Sequence, residues 1–222
     1  GAGSDGTRWD LGAARIGNAV LAQCPNWLIF VQGVGSNSGH AASSCSDYGC
    51  YWGENVQGHL THPVALTDPT KLVLSPHVYG HGLHPYLRAS TFPNNLPAVW
   101  TQHWARLKTA STTSSTPAIV VGEWGGLWEQ NEWLGMNFTS TSAWQQSLAA
   151  FLHQQSIGFF FYTLNENRMF RTGSLYNDFQ GASASKLSML SGARVTNMQQ
   201  LMATWPQLPP PPSPPLPPPP PP

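Results

Sequence analysis

Pro117 to Trp128, PAIVVGEWGGLW, runs three apolar β-formers into a single carboxylate set among glycines. Ile119, Val120 and Val121 predict a strand buried on both faces. Glu123 falls where that strand would stop, and Gly122, Gly125 and Gly126 allow a sharp turn and the close approach of a ligand. A carboxylate at the C-terminal end of a parallel strand occupies the position where barrel enzymes keep their chemistry. A lone Gly-Glu-Trp-Gly also suits a strand-end glutamate paired with a surface Arg. The residues that accompany Glu123 therefore decide its meaning.

On either side of this stretch the chain alternates strand, loop and helix. Thr7 with Asp10 three residues on matches a capping box, and predicts a helix from there to about Gln23. Asn26 to Val34 (NWLIFVQGV) reads as a buried strand, and Lys71 to Tyr79 (KLVLSPHVY) as the next, after a long loop to about Pro69. Pro97 suits a first helical position, and Trp100, Trp104 and Leu107 fall on one helical face. Ser142 can cap a further helix whose Trp144, Leu148, Phe151 and Leu152 form one apolar stripe. Gly158 to Leu164 (GFFFYTL) predicts a fourth strand, and Ser183 to Thr204 holds closing helical segments. Such alternation is the signature of βα units on a parallel sheet. Four strands are half of an eight-stranded barrel and would leave edges and an inner face uncovered. The expected fold class is α/β, a partial (β/α)8 TIM barrel comprising about its last four βα units, with an extended polyproline tail.

Of the 21 prolines, 13 lie at or after Pro206, in PQLPPPPSPPLPPPPPP. That composition has no apolar periodicity and few backbone donors, so residues 206–222 are expected to form a solvated, semi-rigid polyproline II linker. Residues 1–205 are left for the globular part. The chain opens without an initiating Met or a charged-then-apolar leader, and is expected to be a processed or internal part of a longer protein.

Charged residues make up 9% of the 222-residue chain and sum to zero net charge, which removes the electrostatic basis for binding nucleic acid or an anionic membrane. No run of apolar residues is long enough to span a bilayer. The ten tryptophans suit an uncharged polyhydroxylated ligand whose C–H faces stack on rings. Cys45 and Cys50, in a Gly/Ser-rich loop, can close a small disulfide, whereas Cys24 beside Pro25 reads as a buried thiol. With no His at ligand spacing near that pair, neither a metal nor another cofactor is expected. Asn137-Phe138-Thr139 is a glycosylation sequon, in agreement with a secreted, extracellular protein.

Polar and aromatic groups recur at successive strand ends: His77 and Tyr79, then Glu123, then Asn165 with Glu166. In a parallel βα array those ends share one face. The segment YWGENVQG adds Trp52, Glu54 and Asn55 from the long first loop. Singly, Tyr79, Trp52 and His77 each have an ordinary explanation as core; together they outline a site. Trp124, Asn55 and Asn165 are the further candidates for ligand contact.

At RWDLGAARIGNAVL, NWLIFVQGV, YWGENVQG, LVLSPHVYG, TFPNNLPAVW and VVGEWGG the chain resembles the family 5 glycoside hydrolases, in particular the bacterial-type endoglucanases. The resemblance implies a (β/α)8 barrel and retaining hydrolysis of β-1,4-linked glucan, with a polysaccharide or oligosaccharide as partner. It also implies that Glu123 is the nucleophile, that His77 and Tyr79 hydrogen-bond around it, and that Trp52 is a subsite platform. The family's acid/base glutamate lies in an Asn-Glu-Pro motif, which this sequence lacks and which is expected just upstream of Gly1. The last segment, FFFYTLNENRMFRTGSL, departs from the family's usual NPxSGDTGG, with Glu166 where Pro is usual. On this reading the chain is the C-terminal half of a catalytic domain, inactive alone and tethered by the proline rod to a further domain. The rival readings are a non-catalytic carbohydrate-binding relic and a proline-rich cell-wall structural protein.

Overall fold

The apolar runs pair side by side into one parallel sheet. The computed structural model describes residues 8–35, 50–80, 84–109, 116–126, 138–163, 175–177, 181–182 and 184–192, with side chains of the helix that begins at 138 described from 142. Strands β1 (Ile29–Gln32), β2 (Leu72–Ser75), β3 (His77–Tyr79), β4 (Ala118–Gly125) and β5 (Gly158–Phe161) form the sheet. β1 pairs with β2, both β2 and β3 pair with the same side of β4, and β5 pairs with its other side, every pairing parallel. The expected 71–79 strand is thus two segments. Pro76 cannot donate a ladder hydrogen bond and interrupts it. In spatial terms four strand positions lie side by side, as expected for half a barrel.

Helix α1 (Trp9–Gln23) precedes β1, α2 (Leu96–His103) connects β3 to β4, and α3 (Phe138–Gln154) connects β4 to β5. α4 (Ala184–Gly192) follows a two-stranded antiparallel ribbon, β6 (Tyr176–Asn177) with β7 (Gly181–Ala182), for which the sequence carried no signal. The capping box at the start of α1 is not used as expected. Asp10 accepts from the Arg8 guanidinium at 3.2 and 2.5 Å, Arg8 itself stands at the N-cap without a side-chain cap, and Thr7 lies outside the described residues. Pro97 is the second residue of α2 rather than its first, and Ser142 lies inside α3 rather than at its cap.

The core lies on the helix side of the sheet. Trp100, Trp104 and Leu107 are buried together as expected, although α2 ends at His103 and a 3-10 turn, Ala105–Lys108, carries the last of them. Trp144, Leu148, Phe151 and Leu152 of α3 meet them: Trp100 packs edge-on to Trp144 with centroids 6.0 Å apart, and Phe151 lies 5.3 Å from Trp100 and 5.7 Å from Trp104. Aromatic pairs at such spacing add to the roughly 1.5–3 kcal/mol that burial of each large side chain contributes.

The opposite face of the sheet is less covered than the apolar runs suggested. Val31 is buried whereas Phe30 beside it is 45% exposed; Val121 is buried whereas Val120 is only half-buried. Alternation across the pleat sends these residues to opposite faces. Phe30 of β1 and Phe160 of β5 stand edge-to-face, 6.2 Å apart, across that second face. The expectations that the β4 run is buried on both faces and that the β1 run is a buried strand are therefore corrected: one face packs on helices, and among the described residues the other is only partly covered. Cys24, expected buried, is a half-buried free thiol at the end of α1. The proline-rich 206–222 and the sequon's Asn137 lie outside the described residues.

Leu148→Ala is expected to lower the unfolding free energy by about 2–5 kcal/mol, because it empties a fully enclosed position between helices. Ile16→Ala, on the exposed side of α1, changes it by less than about 0.5 kcal/mol. Urea titrations of the two variants check the contrast.

Candidate active site

Register brings the site together. β3 and β4 align His77 with Glu123, Val78 with Trp124 and Tyr79 with Gly125, so the imidazole, the phenol and the carboxylate come from neighbouring strands. Local geometry at Gly122 allows this alignment. Its N–H donates to Pro76 O at 2.9 Å, and a Cβ there would stand 2.2 Å from Ser75 Oγ. Any side chain there would have to displace the Ser75 hydroxyl, and at this point β4 passes from pairing with β2 to pairing with β3.

Glu123 accepts two hydrogen bonds, one per oxygen. His77 Nδ1 lies 3.0 Å from Oε2, and the Tyr79 hydroxyl donates to Oε1. The bond from His77 is the largest influence on the carboxyl and lowers its pKa; partial burial opposes it, and the Tyr79 donor adds to the lowering. The net result is a carboxylate held ionised below its ordinary range. Burial, and then the bond to Glu123, push the Tyr79 phenol far above its ordinary value, so it remains a donor. Tyr51, which sequence reading did not single out, packs its ring 4.8 Å from that of Tyr79. Burial raises its phenol too, with the charge on Glu123 adding to the effect. Two adjacent aromatics before a glycine were the only signal for Tyr51 in the sequence.

The other expected site residues separate. Trp52 is 77% exposed at the tip of a turn beside Tyr51, its ring free to lie against a ligand. Asn55 is half-buried and bridges to Val34 through its backbone, while its Oδ1 accepts from Gln57 N–H at 3.1 Å. Trp124 corrects an expectation. It is 0% exposed, clamped edge-on between Phe159 and Phe161 at 5.3 and 5.2 Å, because alternation from Glu123 points it to the helix side. It is core and presents nothing to a ligand. Asn165 and Glu166 lie outside the described residues, as does Cys45. Cys50 is disulfide-bonded.

Four carboxylates belong to the described residues, and three are employed elsewhere: Asp10 by Arg8, Asp68 by Thr70, and Glu54 by His103. One cluster has donor types that suit a metal, with Cys50, Glu54 and His103 offering atoms within 4.8 Å of one another. A disulfide sulfur is not the thiolate that metal ligation requires.

A family model described as "Cellulase (glycosyl hydrolase family 5)" matches residues 2–168. The chain belongs to glycosyl hydrolase family 5. Among its relatives in this family, an endoglucanase of Paenibacillus polymyxa is 35% identical over 192 residues, covering 86% of this chain and 45% of the relative. The major extracellular endoglucanase of Xanthomonas campestris pv. campestris is 31% identical over 194 residues, 86% of this chain and 36% of the relative. Its solved catalytic domain superposes with a TM-score of 0.72 at 31% identity, over 87% of this chain and 52% of that one. An endocellulase variant of Pyrococcus horikoshii in complex with cellotetraose matches with a TM-score of 0.72 at 30% identity, over 87% and 50%. This family 5 chain thus spans less than half the length of those relatives and about half of the solved chains. Half coverage of a barrel enzyme, with a four-position parallel sheet, identifies the fold as a partial barrel.

Because the Glu123 carboxyl titrates below its ordinary 4.5 when folded, its contribution to stability is present above that value and is lost as pH falls through the lower folded value. Glu123→Gln is therefore expected to remove part of the stability loss on acidification in that window. Urea unfolding followed between roughly pH 6 and pH 2 measures it. Tyr79→Phe, which deletes one donor, is expected to move the Glu123 titration upward, as read by carboxyl NMR.

Proposed function

We infer that this chain carries the nucleophile half of a secreted enzyme that hydrolyses β-1,4-glucan with retention of anomeric configuration. The observation that carries the reading is the Glu123 carboxylate at a parallel strand end, held ionised by one donor on each oxygen, in a family 5 chain. A retaining glycosidase needs one carboxylate to attack the anomeric carbon and a second, protonated carboxyl about 5–5.5 Å away. Glu123 suits the first role. Its oxygen forms the bond to the anomeric carbon as the bond to the leaving sugar breaks, and the second carboxyl gives its proton to the departing oxygen. Water then cleaves the glycosyl ester, with that same carboxyl acting as base.

No other described carboxylate is available for the second role, since Asp10, Asp68 and Glu54 are otherwise engaged. The acid/base glutamate is assigned to a segment upstream of Gly1, where the family resemblance puts an Asn-Glu-Pro. His77 and Tyr79 orient the nucleophile and stay within reach of the reacting sugar. Trp52 offers an exposed ring for a neighbouring glucose, while the Asn55 amide and Asn165 are assigned to hydroxyl contacts. The cellotetraose in a similar solved structure and the extracellular description of one relative support the substrate class and the location. Residues 206–222 are assigned as a linker to a further domain, and residues 1–205 as the barrel half.

The test compares release of reducing ends from carboxymethyl-cellulose by the 222-residue chain and by the longer protein that includes the upstream segment. Activity is expected from the longer protein alone, and Glu123→Gln in it is expected to lower kcat by roughly 10³-fold or more while ligand binding persists. Full activity of the 222-residue chain, or retained turnover in the variant, would overturn the assignment.

A further inference from the structure

Glu54 and His103 form a hydrogen-bonded pair at 1% and 0% exposure, with Nδ1 to Oε1 at 2.9 Å. Nothing in the reaction described above uses them. His103 closes α2, and the Tyr86 ring packs edge-on to it at 6.1 Å. The second oxygen of Glu54 accepts from Tyr51 N–H at 2.7 Å, and Glu54 N–H donates back to Tyr51 O at 3.0 Å. One carboxylate therefore clamps both ends of the turn running from Tyr51 to Glu54. Both oxygens of Glu54 are engaged, one by the Tyr51 amide and the other by His103 Nδ1.

That turn touches both donors on Glu123. Its first residue lays the Tyr51 ring against Tyr79 at 4.8 Å. Its third residue, Gly53, sits at φ +80°, a conformation natural to glycine, and turns its carbonyl to accept from His77 N–H and Gly33 N–H, each at 3.1 Å. Trp52 occupies the exposed position between them. The three groups that face the nucleophile, His77, Tyr79 and Tyr51, are thus in direct contact with this turn or part of it; Tyr162, the residue after β5, donates its N–H to Trp124 O at 2.7 Å next to Glu123.

We propose that Glu54 and His103 are positioning residues for Glu123: the buried pair locks the turn whose ring and carbonyl hold Tyr79 and His77 in place against the carboxylate. A buried ionisable pair adds little net stability over apolar side chains of the same size, so its consequence here is geometric. The disulfide-bonded Cys50 adjoins the pair and the turn, restricting the chain just before Tyr51. The inference rests on the reading of Glu123 as nucleophile for its catalytic meaning, while the positioning itself is readable without any hydrolysis.

The decisive measurement is carboxyl NMR titration of Glu123 in the full 222-residue chain, which has five glutamates, the signal being assigned with Glu123→Gln. Glu54→Gln keeps one acceptor oxygen and loses the other, and is expected to raise the Glu123 titration by about one pH unit as its donors loosen. His103→Leu is expected to do the same. His103→Asn, whose amide nitrogen takes the place of Nδ1 and can still donate to Glu54, is expected to retain the wild-type titration. Leu21→Ala, buried on α1 rather than on the helix that carries His103, supplies a comparison that lowers Tm. An unchanged Glu123 titration in both Glu54→Gln and His103→Leu, or an equal shift in Leu21→Ala, would overturn the proposal. If Glu54→Gln does not fold, the contrast between His103→Leu and His103→Asn decides, and equal titrations in those two overturn it. In the longer protein, Glu54→Gln is expected to lower kcat by roughly 10- to 100-fold with KM changed less than about twofold. Titrations that move as expected in a protein that hydrolyses nothing would leave the positioning role standing and remove only the catalytic reading.

Discussion

The structure around Glu123 depends on how β3 lies against the end of β4. Parallel strands present side chains on one face every second residue, so His77 and Tyr79 both reach the carboxylate only if the register pairs His77 with Glu123. β2 alone could not deliver them, because its register with β4 ends at Leu74 and Ile119. Pro76 interrupts the ladder, its carbonyl is taken up by Gly122 N–H, and pairing resumes with one extra β4 residue accommodated. A bulge of this kind re-aims side chains where a regular ladder would continue the wrong alternation. The same irregularity appears on the other side of β4, whose register with β5 shifts between Val121 and Trp124.

That shift is held from behind by aromatic packing. Trp124 follows Glu123 and points to the helix side, into the cluster with Phe159 and Phe161, while Trp100, Trp104, Trp144 and Phe151 join α2 to α3. Large rigid rings resist repacking. A strand end carrying the Glu123 carboxylate on one side and a clamped indole on the other has little freedom to rotate. Four of the seven tryptophans among the described residues are spent on this support, while Trp52 stands exposed near the site.

Glu123 is also held from in front, through the Tyr51 to Glu54 turn. Here the contributing residues are far apart in the chain: His103 lies 49 residues from Glu54, and Tyr79 lies 44 from Glu123. The sheet's second face, with Phe30 and Phe160 in contact across it, sets this half-barrel apart from a sheet covered on both sides.

Much was legible in the sequence because it rests on local chemistry and short periods. The βα alternation, the stripe of α3, the halved strand count and the strand-end placement of Glu123, His77 and Tyr79 all follow from which side chains recur at which spacing. The family resemblance rested on short contiguous strings as well. What only the tertiary structure decided involves direction and distance: that Trp124 points into the core although it adjoins Glu123, that Val120 and Phe30 face the less covered side, and that Pro76 splits one apolar run into two strands. The same holds for Tyr51 over Tyr79 and for the buried Glu54–His103 pair. No pattern along the chain encodes contacts between residues so widely separated, because they arise from register and crossover geometry that exist only once the sheet has formed.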